Sequence, residues 1–388
     1  MMIPKSIDIF CKIIDNYGDI GVVYRLAKEL KRVYQDAKIR VILNKLEELV
    51  KVNPKTKELD YQEVNGIVYI KEDFFKKNLK KYGVSDIIIE AFGCDIFKSY
   101  TDIAKEKSKL WINLEYLSGE KWIEDFHLQE SLIDSEKLKK IFYMPGFTDK
   151  SGGIILDKSF MQRKKIGITD KYKVLEKYFS EISFENKMVG TIFSYEKNFK
   201  NLLIELNKIE KDTILFIMGE KTQKSILEVL DKNILENFGN FMKYGRIVLK
   251  NMDFLSQEEY EEIISASDFN FTRGEDSIVR ALILGKPFLW HIYVQDERIH
   301  MDKLNAFIDR FEESIKLSIK EKNVLQKYKK LLRDYNDRDE NSLKLGNEDY
   351  SVLFEYFSII EKICEKYSNF LTEECNLVEK LKKYIKGF

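Results

Sequence analysis

The feature that most constrains the fold is a repeated alternation between short apolar runs and longer segments of helical periodicity. Residues 84–91, with isoleucine at 87, 88 and 89, form the run typical of a strand buried in a parallel sheet. Residues 7–14 show the alternation of side-chain polarity typical of a strand and are rich in β-branched side chains. Apolar residues then recur at helical spacing from 22 to 33. Such an alternation of strand and helix favours α/β domains with parallel sheets.

The predicted strands form two groups of similar extent. In the first group they are 7–14, 38–43, 66–70, 84–91, 110–114 and 140–144, and in the second 188–193, 213–218, 245–250, 268–272 and 288–293. Helices are predicted at 172–179, 198–209, 224–230, 257–266 and 274–284, with Gly285 ending the last of these. A chain of 388 residues is long enough for two domains. The pattern therefore predicts two successive doubly wound halves, followed by a charged helical segment.

Composition and motifs exclude several classes of protein. Lysine plus arginine equals aspartate plus glutamate at 65 each, so the chain lacks the basic footprint of a nonspecific nucleic-acid binder. No run of about 18 apolar residues could span a bilayer. Neither GxGxxG nor GxxxxGK[ST] is present, which disfavours NAD and ATP chemistry, and three histidines without ligand spacing disfavour zinc. The four scattered cysteines and the lack of a cleavable leader lead us to expect a cytoplasmic protein.

The loop after the first predicted strand carries Asp15 and Asp19, four residues apart. Side chains at the carboxyl end of a strand in a doubly wound sheet face the ligand crevice. The alternative is that both aspartates serve only as turn and helix-cap residues.

A second charged cluster follows the strand predicted at 268–272. Arg273, Glu275, Asp276 and Ser277 surround a glycine at the predicted start of a helix, where free N–H groups and the helix dipole favour an anion such as a phosphate. The alternative is a simple helix cap, with Arg280 paired to a nearby acid.

Other polar and aromatic residues have two interpretations each. Asn113 and Glu115 lie among large apolar residues at a strand end. They are interpreted either as site residues or as core residues with a buried hydrogen bond. Tyr195, Phe254 and Tyr260 could stack on a base or fill the core. We interpret His291, in an apolar strand, as a core histidine without a catalytic role.

Taken together, five segments resemble one enzyme family. Residues 9–11, 14–22, 111–118, 144–148 and 273–277 occur in the order found in the EarP-type protein-arginine rhamnosyltransferases, which modify bacterial translation elongation factor P (EF-P). The resemblance covers roughly residues 7 to 307.

This resemblance implies a GT-B fold, in which two Rossmann-like domains face an interdomain cleft. It implies an N-terminal acceptor-side domain at 1–156 with the catalytic aspartates and a nucleotide-sugar domain at 157–350. A helical segment at 351–388 is expected to return and pack on the first domain. The reaction implied is inverting transfer of L-rhamnose from dTDP-β-L-rhamnose to an arginine guanidinium of EF-P, without a metal or other cofactor, membrane or nucleic acid.

Residue roles follow from the same resemblance. Asp19 matches the general base, Asp15 its companion, and Glu275 a further essential carboxylate. The resemblance implies that Arg273, Asp276 and Ser277 form a diphosphate-handling segment. It further implies a nucleotide pocket formed by Tyr195, Phe254 and Gln257. The implied substrate-binding loop consists of Asn16, Tyr17 and Gly18.

Two other functions compete with this interpretation. One is a GT-B enzyme acting on a small-molecule or lipid sugar acceptor. The other is a noncatalytic relative that binds a translation factor, which the joint presence of Asp15, Asp19, Arg273 and Glu275 disfavours. The residues alone fit either a thymine or a uracil nucleotide.

Overall fold

The computed structural model describes residues 2–14, 17–337 and 348–388. The chain forms two compact units, one of Met1–Lys158 with Leu371–Phe388 and one of Ser159–Phe370. Each contains a seven-stranded sheet with helices. Among the helices that the structure describes, none has the length and apolar character needed to cross a membrane.

The first unit alternates strands and helices. Its elements are β1 (Ser6–Cys11), α1 (Gly18–Val33), β2 (Lys38–Leu43), α2 (Glu47–Val52), β3 (Tyr61–Val64), β4 (Ile67–Lys71), α3 (Glu72–Lys77), α4 (Leu79–Tyr82), β5 (Ile87–Ala91), α5 (Lys98–Lys107), β6 (Leu110–Leu114), α6 (Trp122–Phe126) and β7 (Lys139–Tyr143). The strand order is β3-β4-β2-β1-β5-β6-β7, and only β3 is antiparallel to its neighbour. The six parallel strands thus have the Rossmann order, which reverses between β1 and β5.

Both faces of this sheet are covered, because successive strand residues point to opposite sides. Ile7 and Ile9 pack in one apolar cluster with residues of α1, whereas Phe10 packs in a second cluster with Ile42 and Phe75. All five residues of β5 are buried. This explains why the strand reads as an apolar run in the sequence.

The second unit repeats the design. Its elements are α7 (Lys158–Thr169), α8 (Lys171–Glu176), β8 (Met188–Phe193), α9 (Lys200–Lys208), β9 (Thr213–Met218), α10 (Glu220–Leu227), β10 (Leu235–Asn237), β11 (Met242–Tyr244), β12 (Ile247–Met252), α11 (Gln257–Ala266), β13 (Phe269–Arg273), α12 (Gly274–Leu284), β14 (Phe288–His291), a short 3-10 turn (Asp296–Arg298), α13 (Ile299–Glu313), α14 (Ile319–Asn336), α15 (Ser351–Glu355) and α16 (Phe357–Glu374). The order is β10-β11-β12-β9-β8-β13-β14, with β12, β9, β8, β13 and β14 parallel. Here the order reverses between β8 and β13.

The last helix, α17 (Leu377–Gly387), packs on the first sheet. The Ile154 N–H donates to the Cys375 carbonyl at 2.7 Å, and the Leu377 N–H donates to the Ile154 carbonyl at 2.9 Å. Gly153 has φ of 78°, and a Cβ there would collide with the Cys375 carbonyl, so the close approach requires glycine. Leu377, Val378, Leu381 and Ile385 join the apolar cluster that contains Ile7. The predicted return to the first domain holds for this last helix, whereas residues 351–370 of the predicted segment belong to the second unit.

The α/β fold class with two Rossmann-like halves is confirmed, and most predicted strands agree with those observed. The antiparallel strands β3, β10 and β11 were not predicted, because they are short and flank the parallel sheets at their edges. The lysine-rich connection contains the helix α7, whose apolar side is weakly marked in the sequence. The compact units also differ in extent from the predicted ranges, since residues 351–370 belong to the second unit.

A buried ion pair joins the central strands of the first sheet. Asp8 on β1 lies opposite Arg40 on β2, and the guanidinium donates to both carboxylate oxygens at 2.5 and 2.6 Å. Arg40 also donates to the Tyr82 carbonyl at 2.8 Å, and the Tyr100 hydroxyl donates to Asp8 at 2.6 Å. Neither charge is exposed, so each depends on the other for compensation.

We expect Asp8→Asn to lower the free energy of unfolding by about 3–5 kcal/mol, because it leaves the Arg40 charge buried and uncompensated. Urea denaturation followed by circular dichroism measures the change. Tyr100→Phe is the control, since it removes one hydrogen bond to the carboxylate and keeps the pair, at a cost of about 1.5–3 kcal/mol. A loss for Asp8→Asn no larger than for this control would contradict the interpretation.

Candidate active site

In the first unit, Asp19 lies in the first turn of α1, next to the carboxyl end of β1. Its side chain is buried, with the residue 5% exposed. One carboxylate oxygen accepts a hydrogen bond from the Ile14 N–H at 3.1 Å, and the other accepts one from the Tyr116 hydroxyl at 3.3 Å. The carboxylate is therefore held in orientation by donors from two different strand ends.

The partner of Asp19, Tyr116, follows β6 and was not predicted as a site residue. Its ring stacks on Phe92, which follows β5, with 4.4 Å between ring centroids and 14° between planes. Phe92 has φ of 60°, an uncommon backbone conformation for an aromatic residue. Tyr116 is nevertheless 43% exposed. The segment 111–118 was the available signal, but sequence alone does not show that its tyrosine reaches Asp19.

The remaining residues of the predicted substrate-binding loop are only partly described. Asp15 and Asn16 lie outside the described residues. The Tyr17 hydroxyl accepts a hydrogen bond from the Lys51 ammonium at 2.9 Å. Gly18 begins α1, and a Cβ at this position would have open space around it.

At the end of β6, Asn113 and Glu115 occupy polar positions in an apolar region. The Asn113 side-chain oxygen is buried and accepts no hydrogen bond from any described residue, so the alternative of a satisfied core amide does not hold for this atom. Burial raises the pKa of Glu115, and the nearby Glu90 carboxylate raises it further.

In the second unit, Arg273 ends β13 at the point where the strand order reverses. Its guanidinium donates to the Ser194 carbonyl at 3.1 Å. It also lies over the rings of Phe193 and Tyr195, at 4.3 and 5.0 Å from their centroids. These contacts fix the planar cation at the carboxyl ends of β8 and β13.

Helix α12 begins directly after Arg273. Gly274 has φ of 72°, which allows the chain to turn from strand into helix. Glu275, Asp276 and Ser277 form the partly exposed first turn, whereas the following residues Ile278–Leu284 are buried. The first turn thus presents backbone N–H groups, two acids and a hydroxyl close to the arginine.

The predicted nucleotide pocket residues belong to the same unit. Tyr195 borders the turn, since its hydroxyl lies 4.0 Å from the position a Cβ on Gly274 would occupy. Phe254 is 63% exposed. Gln257 is the first residue of α11, and its side-chain oxygen is buried without a hydrogen-bond partner among the described residues. The Tyr260 ring on the same helix packs edge-on against Phe193 at 5.9 Å.

No group of three or more histidine, cysteine, aspartate or glutamate side chains within the described part of the chain could hold a metal ion. An anion at Arg273 would meet the guanidinium, the Ser277 hydroxyl and the helix N-terminus.

Comparisons with known proteins agree on one family. The sequence profile described as "Elongation-Factor P (EF-P) rhamnosyltransferase EarP" matches residues 7–386. A protein-arginine rhamnosyltransferase of Shewanella oneidensis is 33% identical over 320 residues, which cover 78% of this chain and 79% of the relative. One of Pseudomonas putida is 31% identical over 310 residues, covering 78% and 81%. One of Neisseria meningitidis serogroup B is 30% identical over 310 residues, covering 78% of each chain.

A solved structure has the same fold. It comes from the work "Structural basis for EarP-mediated arginine glycosylation of translation elongation factor EF-P", and it superimposes with a TM-score of 0.62 at 20% identity over 98% of this chain and 99% of its own. The predicted enzyme class, protein-arginine rhamnosyltransferase, is confirmed by the family match. The chain belongs to the EarP family of elongation factor P rhamnosyltransferases.

Proposed function

We propose that this protein transfers L-rhamnose from dTDP-β-L-rhamnose to an arginine side chain of EF-P, with inversion at the anomeric carbon. The family match over residues 7–386 supports the reaction class. The structural observation that supports the mechanism best is the buried Asp19 carboxylate, oriented by two hydrogen bonds at the carboxyl end of β1.

An arginine nitrogen is a poor nucleophile, because the guanidinium keeps its proton at a pKa above about 12. A fixed carboxylate can orient the planar cation and accept a proton as the new bond forms. The Ile14 N–H and the Tyr116 hydroxyl orient the Asp19 carboxylate, and a carboxylate is the group that pairs with a guanidinium through parallel hydrogen bonds.

In the proposed step, a guanidinium nitrogen bonds to the anomeric carbon while the bond from that carbon to the diphosphate oxygen breaks. The electron pair leaves on dTDP, and the nitrogen proton passes to Asp19. Asp15, as the companion acid, and Glu275 orient the acceptor cation. This assignment balances charge, because one proton goes to the base and the negative charge goes to the leaving group.

Charge that develops on the departing diphosphate needs stabilisation. Arg273 is held over two aromatic rings beside the first turn of α12, which supplies backbone N–H groups and the Ser277 hydroxyl. A cation and helix N–H groups can take the role that magnesium has in other enzymes. We therefore propose a reaction without a resident metal or cofactor, in which the Arg273 guanidinium, the Ser277 hydroxyl and the backbone N–H groups at Asp276 and Ser277 hold the diphosphate.

The base of the nucleotide is assigned to the pocket of Tyr195, Phe254 and Gln257. The exposed Phe254 ring offers a stacking surface. The unpartnered Gln257 oxygen is an acceptor for the N3–H donor of a thymine, and a buried acceptor without a partner is costly until a ligand satisfies it.

We place the reaction in the cytoplasm. All four cysteines lie among the described residues as buried free thiols. Burial raises the pKa of each of them. Inert, unpaired thiols fit a reducing compartment.

The first prediction concerns donor and acceptor together. Incubation with dTDP-β-L-rhamnose and the host's EF-P should add one deoxyhexose to a single arginine, as measured by mass spectrometry of the digested acceptor. EF-P in which that arginine is replaced by lysine is the control and should stay unmodified. Consumption of the sugar nucleotide without modified EF-P would instead favour a small-molecule acceptor.

A second prediction concerns Asp19. Asp19→Asn should lower kcat by about 10²–10⁴-fold, because an amide orients the guanidinium but cannot take its proton. Rhamnose transfer under saturating substrates gives the rate, and circular dichroism checks folding. Tyr116→Phe, which removes one donor to the carboxylate, should lose about tenfold or less.

Glu47→Gln is the matched control for Asp19→Asn, since Glu47 is also an acid in the first turn of a helix after a parallel strand of the same sheet. This variant should keep wild-type turnover. Turnover of Asp19→Asn equal to that of the control would remove Asp19 from the mechanism.

A third prediction concerns the base. Gln257→Leu should weaken dTDP binding by about tenfold, because the acceptor for the thymine N3–H is lost, as titration calorimetry would show. Gln326→Leu changes an exposed glutamine in the same unit and should bind dTDP normally. Equal affinities for the two variants would exclude Gln257 from the nucleotide pocket.

A further inference from the structure

We propose that His291 is a positioning residue for the donor site, acting through Ser194 on Arg273 and Tyr195. The proposal rests on the proposed function, because it assigns the diphosphate of a nucleotide sugar to Arg273. The sequence indicated only a core histidine. The structure places this histidine in a hydrogen-bond network that ends at the site.

The network crosses the end of a strand. Strand β13 lies between β8 and β14, so the two outer strands are about 10 Å apart. Ser194 directly follows β8, and His291 is the last residue of β14. The Ser194 hydroxyl and the His291 Nδ1 nevertheless share a hydrogen bond of 2.7 Å. This bond joins the ends of the two outer strands, beside Arg273 at the end of β13.

The Ser194 hydroxyl has a second partner. It shares a hydrogen bond of 2.9 Å with the Tyr335 hydroxyl of α14. Ser194 and Tyr335 are both fully buried, and His291 is 1% exposed. Hydrogen bonds are strengthened in such a low-dielectric setting and a lost partner is costly there, so the three side chains hold one another in place.

The backbone of Ser194 is fixed as well. Its N–H donates to the Thr222 hydroxyl and its carbonyl accepts from that hydroxyl, both at 2.9 Å. The same carbonyl accepts the hydrogen bond from Arg273 at 3.1 Å. The position of the Ser194 carbonyl therefore sets the position of one guanidinium nitrogen.

His291 also contacts the neighbouring aromatic side chain. The ring of Tyr195 packs edge-on against the imidazole, with 5.2 Å between centroids and 84° between planes. The face of Tyr195 carries the Arg273 guanidinium at 5.0 Å. One buried side chain thus supports two of the contacts that orient the cation, the Ser194 carbonyl through the Ser194 hydroxyl and the Tyr195 ring directly.

The burial of His291 separates this role from acid–base catalysis. A side chain that is almost wholly enclosed by protein has no surface at which a sugar or an acceptor could touch it. Its effect must pass through Arg273 and Tyr195. Loss of the imidazole is expected to reduce affinity for the diphosphate, while Phe254 and Gln257, two of the three base-pocket residues, are left in place.

The test is a double-mutant cycle on dTDP affinity, measured by titration calorimetry. His291→Leu should weaken dTDP binding about tenfold in the wild-type background. In the Arg273→Lys background, which lacks the forked donors, the same change should have little further effect, because coupled residues are not additive. Equal losses in both backgrounds would overturn the proposal.

Two further variants separate the hydrogen bond from simple packing. His291→Asn keeps a polar atom near the position of Nδ1 and should bind dTDP within about threefold of wild type. Ser194→Ala removes the bond with little change in volume and should weaken dTDP binding about tenfold, as expected for His291→Leu. It also provides the test if His291→Leu fails to fold. Equal weakening by His291→Asn and His291→Leu, or wild-type affinity in Ser194→Ala, would contradict the network.

His127→Leu is the matched control, since His127 lies in the first unit and accepts one hydrogen bond from the Met144 N–H at 3.2 Å. It should lower Tm without changing dTDP affinity. If the wild-type protein binds UDP but not dTDP, the proposed donor is wrong but the role of His291 is still open to test. The double-mutant cycle is then measured with UDP. A wild type that binds neither nucleotide would overturn both proposals.

Discussion

The parallel pairing of the central strands is the constraint on which the other features depend. Because parallel strands end at the same edge of a sheet, the loops that follow them collect there. In the first unit this edge holds Asp19 after β1, Phe92 after β5 and Tyr116 after β6. In the second it holds Ser194 after β8 and Arg273 at the end of β13. Hydrogen bonds then join strand ends that are adjacent or one strand apart, as between Arg273 and Ser194 or between Tyr116 and Asp19, so these side chains are held by the sheet of each unit.

The anion site that we propose contains no glycine-rich phosphate loop. A single glycine, Gly274, makes the turn from β13 into α12, and a guanidinium held over two rings replaces the contacts that a longer loop would supply. Arginine suits this role, since its planar group stacks and donates in fixed directions. Other residues must then hold the Arg273 guanidinium in position, and we assign this role to Ser194 and His291.

Much of the fold can be predicted from local patterns in the sequence. The boundaries of β2, β6, β8 and β9 and of α11 and α12 agree with those predicted, because apolar runs, a capping box and Gly285 mark them. The short antiparallel edges and α7 have weak periodicity and were missed. For the proposed site, the order of the motifs predicted Asp19 and Arg273. The partners Tyr116, Ser194 and His291 depend on contacts across strands, which no local pattern encodes.

The central claim is that the donor diphosphate binds at Arg273 and the first turn of α12. A crystal structure with dTDP bound tests it most directly. The account predicts phosphate oxygens within hydrogen-bond distance of the Arg273 guanidinium and the Ser277 hydroxyl, with the thymine against Phe254 and Gln257. A complex in which the diphosphate instead lies at the start of α1, beside Asp19, with Arg273 making no contact to it, would contradict the account.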